Sequence, residues 1–446
     1  MPDPHFSRSA DELKQIAKDV LDYAVKRGAG AAETEVSEGT GQTVTVRQGE
    51  VETIEYNRDK GIGVTVYIGQ QRGHASTTDF SPQAIRDTVD AALSIARFTA
   101  ADDCAGLADP DMLARDFPDL DLWHPWGLTV ERAIELAKAC EAAGFAVDKR
   151  LTNSEGATVS TQGSHFIYGN TLGFLAGYSG SRHGLWCALI AGKGDEMQRD
   201  DWYETSRDPG ELPDPASVGR RAGSRAVSRL AGRKIATTQA PVVFEAPIAS
   251  SLLGHFVSAV SGGNLYRKSS FLLDCAGQPV FAPLVNVSEQ PHVRRGLAST
   301  AFDEEGVATH PREVVRGGVV QGYFLGSYSA RKLKLKSTGN AGGNHNLTLH
   351  DTGTDFAGLL KTMGTGLLVT ELMGQGVNAV TGDYSRGAAG FWVEHGEIAY
   401  PVHEITIAGN LKDMFRGIAA VGNDVVRRSS RYCGSILIDK MTIAGD

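Results

Sequence analysis

"GQTVTVRQGEVETIEYNRDKGIGVTVYIGQQRGHAS", residues 41–76, decides the fold class. Val44, Val46, Ile62, Val64, Val66 and Ile68 alternate with polar or glycine positions between glycine-containing turns. A period of two puts the apolar side chains on one face of a strand. The segment therefore predicts an antiparallel meander and not a βαβ unit.

Helical patterns flank it. Ser9-x-x-Glu12 forms a capping box before Leu13, Ile16, Ala17, Val20, Leu21, Ala24 and Val25, which recur at helical spacing up to Gly28. A second helix follows Ser81-Pro82, with Ile85, Val89, Ala92, Leu93 and Ala96 on one face. A third runs from Thr129 to Ala143, striped by Val130, Ala133, Ile134, Ala137 and Cys140, with Gly144 as its expected stop. "ATVSTQGSHFIYGNTLGFLAGYSGSRHGLWCALIAGKGD" (157–195) then returns to glycine-punctuated strands.

"SRDPGELPDP" (206–215) reads as an exposed connection, and "ASVGRRAGSRAVSRLAGRK" (216–234) as a short basic helix. Beyond it lie "GGVVQGYFLGSYSARKLKL" (317–335), a run from Gly364 to Leu411 with a hairpin expected at His395-Gly396, and "GSILIDKMTIAGD" (434–446). The expected class is α+β in two domains. Residues 1–232 would pack helices on an antiparallel sheet, and residues 233–446 would form a glycine-rich, mostly antiparallel β domain.

The length of 446 residues suits two cores. Lys and Arg total 44 against 53 Asp and Glu, a net charge of -9 with no basic block, which argues against a nucleic-acid surface. Cys104, Cys140, Cys187, Cys275 and Cys433 are scattered and odd in number, as reduced cytoplasmic thiols would be. "MPDPHFSRSADELKQ" has no secretory pattern, and no apolar run approaches the roughly 18 residues of a membrane span.

The chemical motifs are sparse. "SSLLGHFVSAVSGGNLYRKSS" (250–270) reads as a helix with Pro247 in its first turn, striped by Leu252, Leu253, Phe256, Val257 and Val260 and ended by Gly262-Gly263. His255 has Ala259 at i+4, which offers no lone pair, so it reads as a packed histidine rather than a zinc ligand. His403-Glu404 is followed by Ile407 in a strand-like segment, and His345 and His350 sit five apart, on opposite faces of a strand. "GYSGS" and "GDYSRG" break the nucleophile-elbow spacing, and Gly374, Gly376 and Ala379 precede turn and strand instead of the helix a dinucleotide needs. "RKLKLKSTGNAGGN" (331–344) is read as a strand with Lys332, Lys334 and Lys336 on one face, serving either as a solvated edge or toward an acidic partner. Asn264, Arg267 and Lys268 after the helix, and Asn340 in the second glycine-rich loop, are the candidate cavity- or peptide-facing residues.

Taken together, residues 44–77, "GGNLYRKSS", "KSTGNAGG", the Gly366–Leu411 run and "VGND" make the chain resemble the TldD/PmbA metalloprotease family, also described as modulators of DNA gyrase. The likeness covers essentially all 446 residues and is nearest to the PmbA (TldE) branch. It implies an H-E-x-x-x-H zinc helix where this chain has "GHFVSA": Gly254 and Ala259 stand for the two histidines and His255 for the glutamate. Cys433 aligns with the closing strand rather than with the family's ligand loop. The implied protein has no catalytic residue or zinc of its own. It pairs with a zinc-binding TldD-type sister to enclose a cavity for unfolded or short peptides, with a homodimer open as the form taken alone. His255 would line that cavity. The alternatives are a stand-alone hydrolase using scattered histidines and a protein-binding modulator of a DNA-associated partner such as gyrase.

Overall fold

The computed structural model describes residues 5–445; Asp446 and residues 1–4, part of the segment read as carrying no leader, lie outside them. Helix α1 (Ala10–Lys26) starts as its sequence dictates, since the Ser9 hydroxyl caps the Glu12 N–H and the Glu12 carboxylate accepts from the Ser9 N–H. Strands β1 (Ala31–Arg47), β2 (Glu50–Ile68) and β3 (Gln71–Thr77) are the meander. Helices α2 (Pro82–Phe98) and α3 (Val130–Phe145) lead to β4 (Leu151–Asn170), β5 (Leu175–Ala191), β6 (Gln198–Ser206) and α4 (Pro215–Ser228). The six strands form one antiparallel sheet in the order β3-β2-β1-β4-β5-β6.

The even-numbered residues of β1 bury two cores on one face. Ala32 and Val36 pack under α1 and α2, and Val44 and Val46 under α3 and α4. The odd-numbered Glu33, Glu35 and Ser37 line cavities shared with the C-terminal body. Gly144 does not end α3 but lies inside it. A Cβ there would stand 2.4 Å from Leu189 Cδ1 and 2.9 Å from Gly219 O, and one on Gly219 would stand 1.8 Å from Cys140 O. These glycines let the α3 and α4 backbones touch.

The C-terminal body contains β7 (Thr238–Phe244), α5 (Ala246–Ala259), α6 (Gly262–Tyr266), β8 (Val287–Glu289), β9 (Arg312–Arg316), β10 (Val319–Val320), α7 (Ser327–Leu333) and β11 (Leu347–Leu349). It continues through α8 (Phe356–Met363), β12 (Gly366–Met373), β13 (Asp383–Glu394), β14 (Glu397–Asn410), α9 (Leu411–Arg416), β15 (Ile418–Val421), β16 (Arg431–Tyr432) and β17 (Ile436–Ala444). One sheet runs β14-β13-β12-β7-β17-β15 and a smaller one β10-β9-β8-β11-β16, antiparallel except at β7–β12 and β11–β16. The chain is α+β, as its patterning requires. His395 (φ 53°) and Gly396 (φ 79°) make the left-handed pair that joins β13 to β14 in a tight hairpin.

Two further expectations change. Gly262-Gly263 do not stop α5; the helix ends at Ala259 because Gly262 N–H turns to Phe324 O, and the glycines open α6 against Ser329. "RKLKLK" is not a strand but the end of α7, closed by left-handed Lys334 (φ 57°). Its register is set by tertiary contacts: Tyr328 Oη and Lys332 Nζ reach Asp102, and Arg331 pairs with Asp109. "SRDPGELPDP" lies at the surface as expected, with no buried residue, and is held there by the pairing of Asp208 and Glu211 with Arg295. No helix among the described residues is long and apolar enough to cross a membrane.

At the centre of the C-terminal body, Phe256 of α5 is fully buried against the rings of Phe281 (4.9 Å) and Phe415 (6.4 Å). That anchor fixes which way Gly254 and His255 point. Gly219→Ala should cost about 1–3 kcal/mol by overpacking, despite alanine's higher helix propensity. In contrast Gly254→Ala, whose Cβ meets nothing nearer than 3.4 Å, should be neutral or mildly stabilising. Urea midpoints of the two variants check both.

Candidate functional site

Helix α5 carries the three positions where the resemblance places a zinc site. A catalytic zinc needs three nitrogen, sulfur or carboxylate ligands near 2 Å. Gly254 supplies none, and the Arg431 guanidinium lies against it, its Cζ 3.4 Å from where a Cβ would be. The His255 ring stands edge-on to Tyr384 at 5.9 Å, its Nε2 buried without a partner. Burial, with Arg386 and Arg431 nearby, holds its pKa below the usual imidazole value, so the ring is neutral at pH 7. Ala259 is buried in the aromatic core, and Cys433 is buried with its thiol pushed up to about 12 by desolvation. Among the described residues no three His, Cys, Asp or Glu side chains lie together as a metal ion requires. Guanidinium groups repel a divalent cation. The residues present do not fit zinc.

A second feature lies where the open face of the first sheet meets the glycine-rich loops. A cavity of about 690 Å³ is lined by Glu33, Glu35, Tyr168, Gly263, Tyr266 and Asn340, among others. The Tyr67 and Tyr168 hydroxyls donate to Glu33 at 3.0 and 2.8 Å. Burial raises the pKa values of both Glu33 and Glu35. In an adjoining cavity of about 500 Å³, Asp303 accepts from the N–H groups of Glu305, Val307 and Ala341, which ties the 303–307 loop to the "GNAGG" loop. Burial, reinforced by the charge of Glu305, pushes Asp303 up to about 7.

The candidate residues read from sequence separate on this frame. Asn264 turns back to Ser258 O and Oγ, bracing the end of α5. Arg267 stacks on Tyr266 and donates to its hydroxyl, and Lys268 is exposed in a left-handed conformation (φ 56°). Neither lines the larger cavity, although the neighbouring Tyr266 does. Asn340 lines it but has its amide committed, donating to Glu289 and Gly343 O and accepting from Arg312 and Thr338. Other histidines are dispersed and tethered: His183 to Thr161 and His124 O, His345 to Gly339 O, His350 to Ser288, His403 to Gly232 O. Arg386, Arg431, Tyr384 and the carboxyls of Glu33, Glu35 and Asp303 were not singled out from sequence. Glu33 and Glu35, two residues apart in an alternating strand, carry a signal that could have found that pair.

Family models for the PmbA/TldA metallopeptidase domain 1, central domain and C-terminal domain match residues 32–96, 123–230 and 237–445. The chain is 51% identical to the metalloprotease PmbA of Escherichia coli O157:H7 over 433 residues, 97% of this chain and 96% of that one. It is 48% identical to a metalloprotease PmbA homolog of Haemophilus influenzae over 436 residues, 98% and 96% of the two chains. Among solved structures, a candidate modulator of DNA gyrase from Bacteroides thetaiotaomicron superposes with a TM-score of 0.92 at 26% identity, covering 98% of this chain and 99% of that one.

The raised Asp303 predicts a pH dependence. A carboxyl whose folded pKa lies above its unfolded one stabilises the fold below about pH 4, and loses that contribution as pH rises through about 7. The unfolding free energy of the protein minus that of Asp303→Asn should therefore fall between pH 4 and pH 7. Urea titrations across that range measure it, and a pH-independent difference contradicts the assignment.

Proposed function

The chain belongs to the PmbA/TldD metallopeptidase family, and from that premise we propose that it is the subunit of a heterodimeric peptidase that binds no zinc, working beside a TldD-type sister that does. The observation that carries this reading is the Arg431 guanidinium against Gly254, where the family's catalytic branch has its first histidine. A metal-bearing chain with that arrangement would hold two cations at contact distance. In this division of labour the hydrolytic chemistry belongs to the sister. The present chain supplies cavity wall and holds unfolded or short peptides, and its own α5 site is degenerate.

The large cavity between the sheet and the glycine-rich loops supports a peptide-facing role, with Tyr266 and Asn340 in its wall. The five free thiols go with a reducing, cytoplasmic setting. Among the described residues no three His, Cys, Asp or Glu side chains are grouped to hold a metal ion, which leaves a stand-alone metallohydrolase without its centre.

With zinc supplied, an unfolded peptide should be cleaved by the mixture of this chain and a zinc-type sister, and not by this chain alone. Peptide turnover followed by chromatography measures this. Cleavage by the present chain alone overturns the proposal.

A further inference from the structure

Buried polar atoms without a partner are concentrated around one cavity. Thr370 Oγ1, Arg386 Nε, Arg428 Nε and Arg431 Nε belong to side chains lining a space of about 410 Å³ between β6 and α4 on one side and α5, β12 and β13 on the other. His255 Nε2 is likewise unpartnered, its ring edge-on to Tyr384, and Arg386 and Arg431 both lie near enough to depress its pKa. Thr370, Arg428 and Tyr384 are each more than nine-tenths buried.

These groups share a chemistry: all of them can donate. Leaving one buried donor unpaired costs about 1–3 kcal/mol, and a buried cation without a counter-charge costs more. The acids on the wall cannot help, because each is already engaged: Asp200 with Arg225 and Arg229, Asp201 with Arg199, Glu371 with Arg229. Arg428 gives one arm to Glu204 and lies over the Trp202 ring at 3.8 Å. Among the described residues Arg386 and Arg431 make no ion pair, and Arg431 is desolvated enough to lower its pKa. What is missing is an anion.

We propose that this cavity is an oxyanion site that takes a carboxylate of a bound peptide, gripped by the guanidinium forks of Arg386 and Arg431 and by the Thr370 hydroxyl. Guanidinium geometry suits a two-oxygen acceptor. The anion site stands on the stranded donors; the peptide as its source rests on the peptidase reading above.

The test is calorimetric titration of the purified full chain, without the sister, using four probes. They are N-acetyl-trialanine, N-acetyl-Glu-Ala-Ala amide, N-acetyl-trialanine amide and inorganic phosphate. The first probe carries only a terminal carboxylate and the second only a side-chain one, so the tighter of the two identifies the source. At least one acid should bind about tenfold or more tightly than the uncharged amide, and Arg431→Met should abolish that preference. Because Arg431 is half-buried, with its Nε buried and unpartnered, Arg431→Met should melt no lower than the unmodified chain in the absence of ligand, which separates lost binding from lost folding. Arg386→Gln, which leaves the Gly254 contact intact, should reduce binding in the same direction. Equal affinity for acids and amide, binding of phosphate alone, or undiminished binding by both variants overturns the proposal. No cleavage is read, so failure here leaves the two-subunit reading standing, and an inactive mixture leaves this site standing.

Discussion

The register of β1 is the constraint on which the N-terminal body depends. Its residues pair with β2 along one edge and, from Glu33 to Val46, with β4 along the other, so most of its backbone donors and acceptors are spent in the sheet. Its side chains then serve two masters by strict alternation. Even positions seat two helix pairs, and odd positions place Glu33 and Glu35 at a cavity. A slip of one residue would bury those carboxylates under α1 and α2 and turn Val36 toward water, so the pairing is specified from both faces.

The two bodies meet in an aromatic cluster around Phe302, which packs on Phe166, Phe174 and Tyr178, and through a set of arginine ion pairs. Arg225 of α4 reaches Glu245 at 2.8 Å, Arg428 reaches Glu204 at 2.9 Å, and Arg295 binds Asp121 at 2.7 Å and Asp208 at 2.8 Å. Partly buried pairs of this kind add little against a well-packed apolar contact, yet breaking one strands a charge. They therefore fix orientation more than they add stability. Within that network Arg386 and Arg431 are left over, and they converge beside α5. Under the proposed division of labour, positive charge stands here where a zinc-binding sister would hold its ligands.

Much of this was legible in the sequence where local chemistry decides the outcome. The Ser9–Glu12 box, the meander's alternation and the His395-Gly396 turn all depend on neighbours within a few residues, and all appear as read. Gly144 and Gly262 were misread because a glycine's reason can lie across space: one admits α4, the other Ser329. "RKLKLK" alternates like a strand, but Tyr328, Arg331 and Lys332 are held by a segment more than two hundred residues earlier. The arginine pocket was invisible for the same reason. Arg386 and Arg431 sit in unrelated strands, and neither flanking sequence marks it as facing a cavity.

The central claim is that arginine has taken the metal's place beside α5. Its most direct test is the zinc content of the purified chain after incubation with excess zinc and exhaustive dialysis. The account predicts well under one zinc per chain, unchanged by His255→Ala. One zinc per chain, lost on His255→Ala, would contradict it.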